Sequence, residues 1–178
     1  QFIDGFVEVY IRGGKHMPKM NAFGLCDPFL SIAFGGRKTT TAVKKRTYFP
    51  EWNEKVVFSA PAHPSSLIVD LFHMSWSSRV MRIGTHVIAW EQLLAAISQT
   101  AEPRLMTFTF FNGGIAVIGS DGCPTEATLS IRVFGGMGGD SACCSPLSPT
   151  VSPSTDFLVD SSFISFGDDW SDGPPSAP

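Results

Sequence analysis

The 178-residue chain is 43% hydrophobic and 12% aromatic with 17 glycines, which suits one folded domain with a core plus an appendage. No apolar run reaches the roughly 20 residues that a membrane-spanning helix needs, and the four cysteines have neither metal-ligand spacing nor the density of a disulfide scaffold, so a reduced, cytoplasmic protein is expected. Charge is divided along the chain: residues 1–134 carry 13 Lys and Arg against 10 Asp and Glu, whereas residues 135–178 carry 6 Asp and no basic residue.

No basic-then-apolar leader opens the chain, and Gln1 in place of Met suggests a trimmed start. "FVEVYI", from Phe6, alternates apolar and polar faces as a half-buried strand does, and "PFLSIAF" follows directly on Asp27. "KTTTAV" and "EKVVFSA" flank the turn "TYFPEWN", and "LIVDLF" and "RIGTHVIAW" come next. "WEQLLAAISQ", residues 90–99, breaks the series, because Leu93, Leu94 and Ile97 share one face of a short helix. "RLMTFTFF" and "ATLSIRVF" complete eight β-branched and aromatic runs separated by Gly, Pro and Asn turns. The fold class expected is all-β, an eight-stranded antiparallel β-sandwich with a short helix in one loop. At Gly135 the pattern stops. "GGMGGDSACCSPLSPTVSPSTD" is rich in Gly, Ser and Pro and has no periodicity, so a domain over 1–134 and a low-complexity acidic tail over 135–178 are expected.

No catalytic set emerges. His16, His63, His73 and His86 show no metal spacing, no Ser or Cys has an evident base, and "GIAVIGSDG" lacks the Lys and Ser/Thr of a phosphate loop. No enzyme activity, cofactor or nucleic-acid partner is expected.

Three ordered blocks carry a resemblance: "GFVEVYIRGGKHMPKMNAFGLCDPFLSIAF", "TAVKKRTYFPEWNEKVVF" and "LIVDLFHMSWSSRVMRIG". Together, over residues 5–134, the chain resembles the C2 domain family, the calcium- and phospholipid-binding β-sandwiches, in the phospholipase-type strand order. Pro50, Trp52, Asn53 and Glu54 fit the family's second block, with Pro50 fixing a turn, Trp52 plugging the core or rim and Asn53 bonding the turn backbone. The resemblance places the five calcium-ligand positions on Asn21, Asp27, His73, Ser75 and Met81, of which one is a carboxylate. A hard cation wants six to eight oxygens, so no metal is expected, and Asp27 reads as a turn-former ahead of Pro28.

Family geometry implies that two loops meet at one end. One offers Met20, Phe23 and Leu25 beside Lys15 and Lys19; the other offers Met74, Trp76 and Val80 beside Arg79 and Arg82. Docking of this end on anionic membrane lipid or a protein partner is one reading, and a small inward-folded loop core is the other. Arg37, Lys38, Lys44, Lys45 and Arg46 form a basic patch, read either as general attraction to an anionic surface or as a solvated strand end. The family's phosphoinositide positions fall on Thr40 and Ala42, which leaves no specific headgroup site there.

In the tail, Ser145, Ser148 and Ser152 precede prolines, and Cys143-Cys144 is a candidate for S-acylation. "SFGDDW", with Phe166, Asp168, Asp169 and Trp170, resembles peptides that bind clathrin-adaptor ear domains, an adaptor-type partner. The function expected is a non-catalytic, calcium-independent C2 module for membrane-surface or protein docking in membrane trafficking, cytoplasmic and peripheral to the membrane. The alternatives are a structural scaffold in a cytoskeletal or ciliary assembly, or a fragment of a larger lipid-signalling enzyme.

Overall fold

The structure, a computed structural model, describes residues 5–20, 22, 25–97 and 102–134. Asn21, Phe23 and every tail position named above lie outside the described residues. In chain order the elements are β1 (Phe6–Lys15), β2 (Pro28–Phe34), β3 (Arg37–Thr40), β4 (Glu51–Ser59), β5 (Leu67–Met74) and β6 (Val80–Ile88). Helix α1 (Trp90–Ile97), β7 (Arg104–Thr109), β8 (Phe111–Asn112), β9 (Ile115–Ala116) and β10 (Glu126–Phe134) follow.

The strands form two antiparallel sheets. One has the order β4-β1-β10-β7 and the other β3-β2-β5-β6-β8-β9. The last strand thus lies between the first and β7, and the residues that alternate on each strand decide what lies between the sheets. Val7, Val9 and Ile11 of β1, Leu67, Val69 and Leu71 of β5, and Leu129 of β10 have no exposed surface, while Glu8 and Tyr10 face outward. Burying a side chain of this kind stabilises the fold by about 1.5–3 kcal/mol, so the period-2 pattern alone fixes which face turns inward. Helix α1 packs against the core. Its Trp90 and Leu93 join the core, and the Gln92 side chain reaches back to accept from the Ala89 N–H, which satisfies a free donor at the helix start.

Three local features depart from the sequence pattern. The "KTTTAV" run stops being a strand at Thr40, because the Thr41 hydroxyl accepts the Leu30 N–H at 2.9 Å in place of a ladder carbonyl. Strand β4 starts at Glu51, inside the expected turn; Trp52 is buried and its indole N–H donates to the Ala42 carbonyl at 3.1 Å. Asn53 takes a φ of 53°, a conformation that Asn tolerates better than most residues, and accepts from the Tyr10 hydroxyl rather than bonding the turn backbone.

A further departure is in "RLMTFTFF", which reads as one strand but serves both sheets. Residues 104–109 pair with β10, and Phe111 pairs with Thr85 in the opposite sheet. Phe110, fully buried, is the crossing point, its N–H donating to the Thr125 carbonyl. The described residues therefore hold ten strands rather than eight, the two additional ones being two residues long. A bulge at Arg12 shifts β1 against both neighbours; there a Cβ on Gly13 would sit 2.6 Å from the Pro50 carbonyl oxygen, so only glycine lets the strands approach.

Candidate functional site

The loop leading to β2 and the β5–β6 hairpin are tied together at one end of the sandwich. The Met74 N–H donates to the Asp27 carbonyl at 3.0 Å, and the Asp27 N–H donates to His73 Nδ1 at 3.0 Å. Because a backbone N–H can only donate, Nδ1 is the acceptor and His73 is held as a neutral imidazole. His73 is 3% exposed, the next inward position after Leu67, Val69 and Leu71 on β5. Burial holds its pKa below the ordinary histidine value, with Asp27 opposing that effect and Lys45 adding to it. His86, whose Nδ1 lies 2.9 Å from the Thr109 carbonyl, is shifted down by burial as well, against that hydrogen bond.

A depressed histidine pKa contributes stability that is complete above the unfolded value of about 6.5 and is lost as pH falls through the folded value. The melting temperature is therefore expected to fall between pH 7.5 and pH 5.5. His73→Asn keeps an acceptor for the Asp27 N–H but does not titrate, and should flatten part of that slope. An unchanged slope in thermal scans of the variant would place the pH sensitivity elsewhere.

Among the described calcium-ligand positions at this end, Asp27 is the one carboxylate. Asp27 Oδ1 accepts the Arg46 N–H at 2.7 Å, and Oδ2 lies 3.4 Å from Lys45 Nζ, so the one carboxylate serves the neighbouring loop. His73 offers a neutral nitrogen already in use, Ser75 a hydroxyl 3.4 Å from Ser77, and Met81 no oxygen donor on its side chain. A cation requiring several carboxylate oxygens finds none free here among the described residues.

The hairpin tip carries the exposed surface. The Ser75 N–H donates to the Arg79 carbonyl and the Ser78 N–H to the Ser75 carbonyl, closing a tight turn with Ser78 at φ 60°. Trp76 stands on this turn 92% exposed, followed by exposed Arg79, Val80, Met81 and Arg82. Met74 and Leu25 are half-buried, and Met20 packs against the core, so Met20 does not project with Trp76. Lys15 and Lys19 are exposed.

The basic run is drawn out along β2. Arg37 pairs opposite Phe34 at one end, whereas the Lys44 N–H reaches the Pro28 carbonyl at the other. Six strand residues separate these points, about 20 Å. Arg37 and Lys38 are therefore far from the hairpin end, which Lys45 and Arg46 adjoin. Buried Cys26, 4.0 Å from His73, has its thiol pKa pushed up to about 12 by burial and by Asp27, which leaves it inert at neutral pH.

No helix of the described residues is long and apolar enough to cross a membrane. The C2 domain family matches residues 5–105. Among solved structures, a C2 domain of plant Extended Synaptotagmin 1 is similar at 20% identity and a TM-score of 0.60, covering 76% of this chain and all of that one. The two-C2-domain chain of Extended Synaptotagmin 2 with calcium bound is similar at 17% identity and a TM-score of 0.57, over 74% of this chain and 46% of that one. Human GIVD cytosolic phospholipase A2 is similar at 14% identity and a TM-score of 0.53, over 74% of this chain and 16% of that one. C2 domains are non-catalytic modules that contact lipids or proteins, and this chain, matched over residues 5–105, belongs to the C2 domain family.

Proposed function

We propose that this chain is a calcium-independent docking module, cytoplasmic, that seats the tip of its β5–β6 hairpin on an anionic membrane surface. The observation that carries the reading is Trp76, a large apolar side chain 92% exposed at a hairpin tip, with Arg79, Val80, Met81 and Arg82 exposed behind it. An indole is favoured at the headgroup boundary, where its ring leaves water and its N–H stays hydrated. Each nearby arginine adds about 1 kcal/mol of attraction to an anionic surface. One solved relative holds calcium; here the Asp27 carboxylate is bonded to Arg46 and Lys45, and His73 stands neutral beside it. Among the described residues, no cluster of acids at this end needs neutralising before lipid can approach.

The tail from residue 135 extends the proposal. Its net charge is negative, opposite in sign to that of the domain. Phe166, Asp168, Asp169 and Trp170 would supply an aromatic-acidic anchor for an adaptor-type partner, and Cys143, Cys144, Ser145, Ser148 and Ser152 are the candidate modification sites.

The test is co-sedimentation of the full chain with phosphatidylserine-containing vesicles, in calcium and in a chelator, beside melting scans at micromolar calcium. Equal binding in both conditions and an unmoved melting temperature are expected. Binding that needs calcium, or a melting rise of several degrees, would falsify the calcium-independent reading. Absence of sedimentation in both would replace membrane docking by the scaffold reading, in which the same tip meets a protein.

A further inference from the structure

Outside the loop end, the fold gathers three metal-capable side chains that the sequence holds far apart. His16, just after β1, meets Asp121, which is 105 residues away, with His16 Nδ1 2.6 Å from Asp121 Oδ2. Cys123 completes the group: one donor atom from each of the three lies within 4.8 Å of the others. The side chains are held in position by the loops that carry them. His16 takes a φ of 58°, and its carbonyl accepts from the Thr125 hydroxyl at 2.6 Å. That carbonyl also packs so closely on Gly119 that a Cβ there would strike it. The His16 ring stands edge-on to Phe49, centroids 5.7 Å apart.

The opposite loop is as constrained. The Gly119 N–H donates to the Cys123 carbonyl at 2.7 Å, the Gly122 N–H to the Gly119 carbonyl at 3.1 Å, and Asp121 Oδ1 accepts the Cys123 N–H at 3.1 Å. Asp121 and Cys123 are thereby presented on one tight turn, and both are exposed to incoming ions.

We propose that His16, Asp121 and Cys123 bind a divalent cation of the zinc class, with the fourth position open to water or an external ligand. One imidazole nitrogen, one carboxylate oxygen and one sulfur are the donors that zinc accepts together, whereas sulfur disfavours calcium and magnesium. A tetrahedral zinc ion about 2.0–2.3 Å from its donors keeps them about 3.3–3.8 Å apart, so side-chain movements of about 1 Å close the set. Binding replaces the His16–Asp121 hydrogen bond with two metal bonds and joins the β1 end to the 119–123 turn. The ordinary alternative is that His16 and Asp121 form only an ion pair that fastens these loops.

Cobalt(II) added to the chelator-treated full chain is the probe. Equimolar cobalt should give a thiolate-to-metal charge-transfer band in the near ultraviolet. The band should persist in Cys143→Ser/Cys144→Ser and vanish in Cys123→Ser. By titration calorimetry, zinc should bind one saturable site, weakened at least tenfold by Cys123→Ser and by Asp121→Asn. Cys123 is exposed, so its replacement leaves the fold intact, which far-ultraviolet circular dichroism checks directly. No band, or a band that survives Cys123→Ser and disappears with the tail cysteines, overturns the proposal.

Discussion

Phe34→Ala is expected to lower the unfolding free energy by about 3–5 kcal/mol, the range for removing a buried aromatic ring. The ring is 2% exposed at the end of β2 and meets side chains of two other elements. It meets Phe58 of β4 edge-on at 5.9 Å and stacks on Trp90 of α1 at 6.4 Å. Phe58 belongs to the opposite sheet, so the cavity would open between both layers and under the helix. Collapse around it is resisted because three rigid elements define its walls. Against a typical total of about 5–15 kcal/mol, this is a large share of the stability. Urea denaturation with an unchanged m-value is the measurement. A loss under about 1 kcal/mol would mean that the two sheets close over the gap, and that Phe34 does not set their spacing. Val57→Ala, at a half-exposed position of β4, serves as the control and should change little.

The core was legible because burial on a strand repeats every second residue. The alternation of "FVEVYI" is visible in the sequence, and of its two faces Val7, Val9 and Ile11 are the one turned inward. The same rule reaches His73, two residues after Leu71, but a histidine at the end of an apolar series reads as the point where the strand leaves the core. Viewed as a calcium position it suggested a lost ligand; on β5 it is a buried acceptor for the Asp27 N–H. The "RLMTFTFF" run misled for a different reason. Strand propensity is continuous through Phe110 and does not report which sheet a residue joins, so the crossing between sheets is invisible in composition. Met20 and Trp76 look alike as apolar loop residues, yet one packs on the core and the other is exposed. Pattern cannot separate them, because loop side chains have no period. His16, Asp121 and Cys123 are hidden by distance along the chain: only the pairing of β1 with β10 brings their loops side by side. The five basic residues at 37–46 looked like one patch because the sequence does not show that the segment runs along the length of β2.

Trp76→Ala is expected to weaken binding to phosphatidylserine vesicles at least tenfold while leaving the melting temperature nearly unchanged. Moving an indole from water into the headgroup boundary is worth about 1.5–3 kcal/mol at most, and tenfold in affinity corresponds to about 1.4 kcal/mol. Stability should not respond, because a side chain that is 92% exposed has little packing to lose. The remaining affinity should come from Arg79 and Arg82, exposed on the same hairpin, with Arg46 beside Asp27 adding to them. Attraction between exposed charges is screened over about 8 Å at physiological ionic strength, so added salt should weaken the wild type only in part and the variant almost completely. That difference in salt response separates an apolar anchor from a purely electrostatic surface. If Trp76→Ala binds as the wild type does, the membrane face lies elsewhere on the sandwich, and the hairpin tip is left to a protein partner. If instead the variant melts early and the wild type never sediments, Trp76 is packing in solution against a surface that its exposure does not reveal, and docking on lipid is excluded.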